Sequence, residues 1–259
     1  MLDTNVCKAR CGDKEITIRI QRPNFESVEK AYEAISIFDI NAYHARKEAL
    51  YRELYRLARS QGQDDEEANG FADIESLWIV SIEFAEPRYK QIGGAVETLF
   101  NNDKRTYINT CALRVSYSLN QSTHPIKNMK KQVVGRGYKG KDNHTYYLGV
   151  FDIIELLKLN WKELSWNKAT YNQVKANIQC GCSEDFYHNM TSKAENQKFY
   201  KELQSIKRKG IIAMIGTDGL RHTTLWNESN FVDVALGVSP NYLNDTQYIM
   251  REVYFWDLL

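Results

Sequence analysis

Asn109-Thr110-Cys111-Ala112-Leu113-Arg114-Val115-Ser116-Tyr117-Ser118-Leu119-Asn120 is the stretch on which the reading of this chain turns. It reads as a cysteine at the start of a buried helix. The N–H groups and positive dipole end of a helix N-terminus favour the thiolate, and the thiolate is the nucleophile. Such a placement asks for a histidine base and for a group that orients the base.

The chain offers five histidines. His44 sits among Arg and Lys on a long helical stretch and is expected to be solvated. His124 precedes Pro125 in a turn, and His144 and His188 lie in polar loops. His222 differs, because Arg221-His222-Thr223-Thr224-Leu225-Trp226 reads as a strand directly after an apolar hairpin. A strand holds an imidazole more rigidly than a loop does. His222 follows Cys111 by 111 residues, enough for the chain to leave the helix and return as sheet. Asn227, Glu228, Asn230 and Asp233 follow as candidates for the orienting group, and spacing alone does not choose among them. Cysteine on an early helix, histidine on a later strand and a polar third group on the next strand is the papain-like order.

Composition sets the frame. Of 259 residues, 43% are hydrophobic and 26% charged, an ordinary globular balance. The formal net charge of +1 gives no electrostatic case for nucleic acid or for a stable hold on an anionic membrane. The 16 tyrosines suit a groove for a hydrated polymer and equally a half-buried sheet. No run approaches the roughly 18 apolar residues of a spanning helix. The start, Met1-Leu2-Asp3-Thr4-Asn5-Val6-Cys7-Lys8, has no apolar signal region, so synthesis as a soluble cytosolic chain is expected. There are five cysteines. Cys7 with Cys11 and Cys180 with Cys182 could together supply four thiolates, but neither spacing is that of a zinc knuckle. Ordinary thiols, or a disulfide formed after export, are expected, with no metal and no cofactor.

Along the chain, Lys14 to Arg22 alternates apolar and polar as a strand does, and Pro23 ends it. Asn24 is expected to cap a helix through Phe25, Val28, Ala31, Tyr32 and Ile35. Residues 40–60 read as a helix, 61–70 as a solvated acidic loop holding Asp64, Asp65, Glu66 and Glu67, and 71–84 as a second helix stopping before Pro87. Residues 39–90 thus read as a helical hairpin, and Gly93-Gly94 breaks the chain after it. Gly135-Arg136-Gly137-Tyr138-Lys139-Gly140 has the spacing of a dinucleotide loop. It lacks a buried strand before it and a helix directly after it, so a loop in a β ribbon is expected instead. A strand over 145–150 and a helix over 152–159 follow. Residues 160–208 read as mixed helix and loop. Gly210 to Gly216, the turn Thr217-Asp218-Gly219 and Arg221 to Asn227 make a hairpin, and Tyr248 to Trp256 is the last strand.

The local wording resembles a known family. Asn109-Thr110-Cys111-Ala112-Leu113-Arg114-Val115-Ser116 resembles the N-A-C-A-I-R-[ML]-S segment of the type VI secretion amidase effectors, fourth family. Those are papain-like cell-wall amidases related to NlpC-type peptidases. Gly93-Gly94 resembles the family's glycine pair, and Arg22-Pro23-Asn24-Phe25 its opening R-P-x-[FW]. Gly140 to Leu157 resembles its mid-chain strand and helix. Gly219-Leu220-Arg221-His222-Thr223-Thr224-Leu225-Trp226-Asn227 is similar to the segment around its histidine. The resemblance spans 22–38 and 91–259. The insert 39–90, the extension 1–15, Arg221 in place of a glycine and a missing mid-chain arginine depart from the pattern.

The resemblance implies an α+β fold: a papain-like cysteine amidase whose catalytic helix packs on an antiparallel sheet. It implies one domain over 1–259, with 39–90 as a helical insertion within it. It implies Cys111 as nucleophile, His222 as base and Asp233 as orienter. Tyr107, Asn109, Arg221 and Trp226, which flank these, are expected at the substrate. The implied reaction is cleavage of the amide between D-glutamate and meso-diaminopimelate in peptidoglycan stem peptides. The implied partners are the type VI secretion machinery and a cognate periplasmic immunity protein. The implied route is from the producer's cytoplasm, without a signal peptide, to the periplasm of the target cell. The rival expectations are an intracellular papain-like cysteine peptidase or acyltransferase, and an inert papain-fold binding module.

Overall fold

A computed structural model describes residues 4–11, 14–161 and 190–259, with side chains from residue 22 onward. Cys180, Cys182, His188 and much of the stretch read as mixed helix and loop lie outside the described residues. The chain divides into two compact units, one of Met1–Ser36, Cys111–Tyr138 and His144–Leu259, the other of Ile37–Thr110 and Lys139–Asn143.

The first unit opens with an antiparallel hairpin, β1 (Thr4–Cys11) and β2 (Lys14–Gln21). β2 is the expected strand; β1, which carries Cys7 and Cys11, was not anticipated. Asn24 accepts from the Ser27 N–H at 3.1 Å and so caps α1 (Phe25–Ser36), as expected. Phe25, Val28, Tyr32 and Ile35 recur at helical spacing and are buried.

The sheet of this unit has three antiparallel strands in the order β6-β5-β7. They are β5 (Lys209–Gly216), β6 (Arg221–Asn227) and β7 (Met250–Asp257). The β5–β6 hairpin is the expected one. Its turn holds Asp218 at φ +54° and Gly219 at φ +75°, a left-handed pair suited to aspartate and glycine. β5 is apolar on both faces because both are covered. Ile211 and Ala213 join one core with Tyr32, Val115, Leu119 and Ile153. Ile212 and Met214 join a second with Phe199, Leu203, Trp226 and Phe255. The period of two sorts neighbouring residues between the cores.

The helix α5 (Cys111–Gln121) is buried almost all round. It packs against α1, against β6 and against α6 (Val150–Asn160). Its polar residues are answered inside. Ser116 Oγ accepts from the Tyr147 N–H at 2.9 Å, and Asn120 donates to the Thr145 carbonyl at 2.8 Å. The strand expected over 145–150 shrinks to the two-residue β4 (Thr145–Tyr146), which follows the equally short β3 (Tyr138–Lys139). Gly149 ends it by serving as N-cap of α6. Farther along, α7 (Lys193–Ser205) gives Phe199 and Leu203 to the second core, and α8 (Val232–Ala235) is a single turn.

The second unit contains α2 (Ile40–Ser60), α3 (Asp65–Ile92) and α4 (Gly94–Asn102). α2 and α3 pack on one another as a hairpin. The expected acidic loop is the start of α3. Asp64 accepts from the Glu67 N–H at 2.9 Å, and Glu67 accepts from the Asp64 N–H at 3.2 Å, a capping box. The neighbouring acids stand at the positive end of the helix, where their charge is favourable. Nor does the helix stop before Pro87, which lies inside it. The buried face continues past the proline through Arg88, Tyr89 and Ile92. That burial outweighs the roughly 3 kcal/mol an internal proline costs. Gly93 and Gly94 have positive φ, and a Cβ on Gly94 would lie 2.8 Å from the Lys139 carbonyl oxygen. The glycine pair therefore permits a close backbone approach.

Ser116→Ala tests how α5 is held. It leaves the buried Tyr147 N–H without its acceptor and should cost about 1–3 kcal/mol, read as a lower urea midpoint. An unchanged midpoint would mean that this N–H has another acceptor.

Candidate active site

Cys111 is the first residue of α5 and is 2% exposed. Its thiol hydrogen-bonds His222 and also takes the backbone N–H of Thr223, both on β6. His222 Nε2 lies 2.7 Å from Asp233 Oδ2. His222 thus touches both the carboxylate and the thiol. Asp233 is fully buried on α8. The third group thus sits on a helical turn rather than on the next strand, because the chain bends directly after β6. Asn227 makes that bend. Its Oδ1 accepts from the N–H groups of Ser229 at 3.2 Å and Asn230 at 2.9 Å. Asn230 in turn accepts from the Phe231 N–H at 2.9 Å. Both asparagines are occupied with backbone, which leaves the carboxylate of Asp233 facing the imidazole.

The electrostatics of the three groups reinforce one another. Burial pushes the Cys111 thiol up, but the hydrogen bond and charge of His222, the charge of Arg114 and the Thr223 N–H bring it below its ordinary value. Burial pushes His222 down, and Asp233 together with Cys111 overrides this and raises it to about 9. Burial pushes Asp233 up, and His222 with Arg114 holds it below the usual carboxylate range. The arrangement favours a thiolate–imidazolium pair steadied by a carboxylate. Those are the parts of covalent acyl transfer.

The other sequence candidates divide. Arg221 is exposed, with its guanidinium carbon 4.7 Å from the Phe151 ring centroid. Trp226 is fully buried in the second core against Phe231 and Tyr200. It has no surface to offer a substrate, and its place is structural. Tyr107 and Asn109 belong to the second unit, where the Tyr107 carbonyl accepts from the Tyr89 hydroxyl at 2.7 Å. His44 is exposed on α2, and His124 is buried in the bend before Pro125. Among the described residues no group of His, Cys, Asp and Glu is disposed to hold a metal ion.

Two side chains without an assigned role stand at the site. The Tyr242 ring lies 4.8 Å from the His222 ring and is tilted by 50°. Tyr242 comes from the segment between α8 and β7, where no periodicity marks it. Arg114 Nη2 lies 3.6 Å from Asp233 Oδ2. Its position three residues after Cys111 on one helix was a usable signal.

Comparison with known proteins gives the family. Residues 107–256, more than half of the chain, match the family described as type VI secretion system (T6SS), amidase effector protein 4. The fold is similar to a chain in the crystal structure of the type VI effector–immunity complex Tae4-Tai4 from Salmonella Typhimurium. The identity is 17%, the match covers 92% of this chain and 99% of that one, and the TM-score is 0.50. A second structure, of the effector–immunity system Tae4/Tai4 from Salmonella typhimurium, gives 17% identity, 92% and 99% coverage and a TM-score of 0.50. No curated protein matches. At this identity the solved structures speak for a shared mixed α+β fold. The family match, which spans Cys111, His222 and Asp233, speaks for kinship, and the chain belongs to the type VI secretion system amidase effector protein 4 family, an amidase and so a hydrolase.

Proposed function

We propose that this chain is a papain-like cysteine amidase that cuts the bond between D-glutamate and meso-diaminopimelate in peptidoglycan stem peptides. The observation that carries the reading is the run of contacts from Cys111 to His222 to Asp233, with 2.7 Å between the last two. The Cys111 thiolate attacks the γ-amide carbonyl. The N–H groups of a first helical turn have no acceptor within the helix, so the start of α5 is a natural oxyanion hole. His222 gives its proton to the leaving amine, and the acyl group stays on sulfur. His222 then takes a proton from water, which releases the acyl group and restores the thiol pair. Asp233 fixes the imidazole throughout. Tyr107, Asn109 and Arg221 are proposed to contact the stem peptide.

Among the described residues no helix is long and apolar enough to cross a membrane. The family match supports delivery by type VI secretion into the periplasm of a target cell. Tae4 appears with Tai4 in the solved complexes, which supports a cognate immunity protein as partner here. The segment 39–90 is read as an insertion in the amidase domain.

Digestion of purified sacculi followed by mass analysis tests the bond. Wild type should release disaccharide-dipeptides and Cys111→Ala none; intact muropeptides from folded wild type would overturn the reading. Asp233→Asn should fold and still bind sacculi, yet lose on the order of 10²–10⁴-fold in turnover. If Asn227→Ala is the damaging change instead, Asp233 is not the orienter.

The protonation states give a third test. The thiolate is lost as pH falls, and the imidazolium is lost as pH rises through about 9, so activity should be bell-shaped with its alkaline limb there. In His222→Ala burial acts on the thiol with less opposition. Iodoacetamide should then alkylate Cys111 only above the ordinary thiol range of about 8.5. An alkylation profile unchanged by this substitution would contradict the ion pair.

A further inference from the structure

Arg114 is held where an arginine is costly. Its side chain is 6% exposed, and the carboxylate it faces is wholly buried. Nη2 lies 3.6 Å from Asp233 Oδ2, the same oxygen that stands 2.7 Å from His222 Nε2. On its other side the guanidinium carbon stands 5.1 Å from the Tyr32 ring centroid, and Nη1 is 3.5 Å from Ser36 Oγ. The Tyr32 hydroxyl is within 3.1 Å of Thr224 Oγ1 on β6. The cation is therefore walled in by α1 and cannot swing out to water.

A count of charge gives it a task. Thiolate, imidazolium and carboxylate together carry one net negative charge in a dry space. An uncompensated buried charge is far more costly than a balanced set. Among the described residues, the groups that act electrostatically on this cluster are His222 and the Thr223 N–H from β6, Arg114 from α5, Asp233 from α8, Tyr32 from α1 and Tyr242 from the segment before β7. Of these, Arg114 and protonated His222 are the positive groups. Without Arg114 the cheapest relief is a proton on sulfur, because the imidazolium keeps its contact with Asp233.

We propose that Arg114 is a positioning residue that keeps Cys111 in the thiolate form by balancing the buried charge of Asp233 and holding that carboxylate toward His222. This rests on the reading of Cys111 as the nucleophile. It places the counter-ion on the same helix as the sulfur, so one rigid element sets both.

The test is the pH dependence of Cys111 alkylation by iodoacetamide in the full chain, followed by peptide mass. Arg114→Gln should slow alkylation at pH 7 about tenfold and move its midpoint upward, because thiolate is lost. Arg114→Lys keeps the charge and should recover most of the rate. A folded Arg114→Gln protein with the wild-type profile would overturn the proposal, as would a lysine variant as slow as the glutamine one. If Arg114→Gln does not fold, Asp233→Asn is compared with Asp233→Asn carrying Arg114→Gln as well. With the carboxylate gone Arg114 has no charge to balance, so the two must alkylate alike at pH 7, and a slower double variant refutes action through Asp233. Alkylation needs no substrate. Failure of wild type to digest sacculi would therefore sink the function proposed above and leave this measurement standing.

Discussion

His222 and Asp233 meet at 2.7 Å in a place closed to solvent, and the rest of the first unit is arranged around the difficulty of keeping them there. Each group pays for leaving water. The contact survives only because each finds a charged partner and a fixed position. β6 fixes the imidazole through its pairing with β5, with His222 opposite Met214. The bend made by Asn227 and Asn230 fixes α8 and so the carboxylate. α5 closes the space from the other side and brings the sulfur. Loosening any of the three elements leaves a buried charge exposed to its own desolvation cost.

The same logic explains why α5 is polar where a core helix need not be. Ser116 and Asn120 would be poor choices in a buried helix without partners. Here they bind the backbone of Tyr147 and of Thr145, so the segment leading into α6 is tied to the nucleophile's helix. These bonds set α5 in register along its axis, which apolar packing alone does weakly. A sulfur that must meet an imidazole at hydrogen-bond range needs that control.

Much of this was legible in the residues. The apolar run 210–216, the Thr217-Asp218-Gly219 turn, the strand 221–227 and the cap at Asn24 are local signals, and the structure follows them. The helix over 111–121 and the strand position of His222 were equally readable. What was hidden depended on tertiary contact. Asp64 to Glu67 read as a solvated loop because four acids repel; the capping box and the helix dipole reverse that. Pro87 read as a stop because propensity is local, while the burial of Tyr89 and Ile92 is not. Trp226 was expected at the substrate, yet tertiary packing against Phe231 and Tyr200 buries it fully in the second core. Asp233 could not be told from Asn227 by spacing, since only the bend shows which side chain faces inward. Tyr242 lies in an aperiodic segment and left no trace.

Among the described residues β6 borders the sheet, with β5 on one side and, on the other, a single bridge from Trp226 to Phe231. A bare strand rim is a template on which another extended chain can add. Here a stretch of that rim is already engaged, for the Thr223 N–H points at the Cys111 sulfur. The Cys111 thiol thus covers part of the rim. An intruding strand would have to strip the sulfur of this donor before it could zip onto β6.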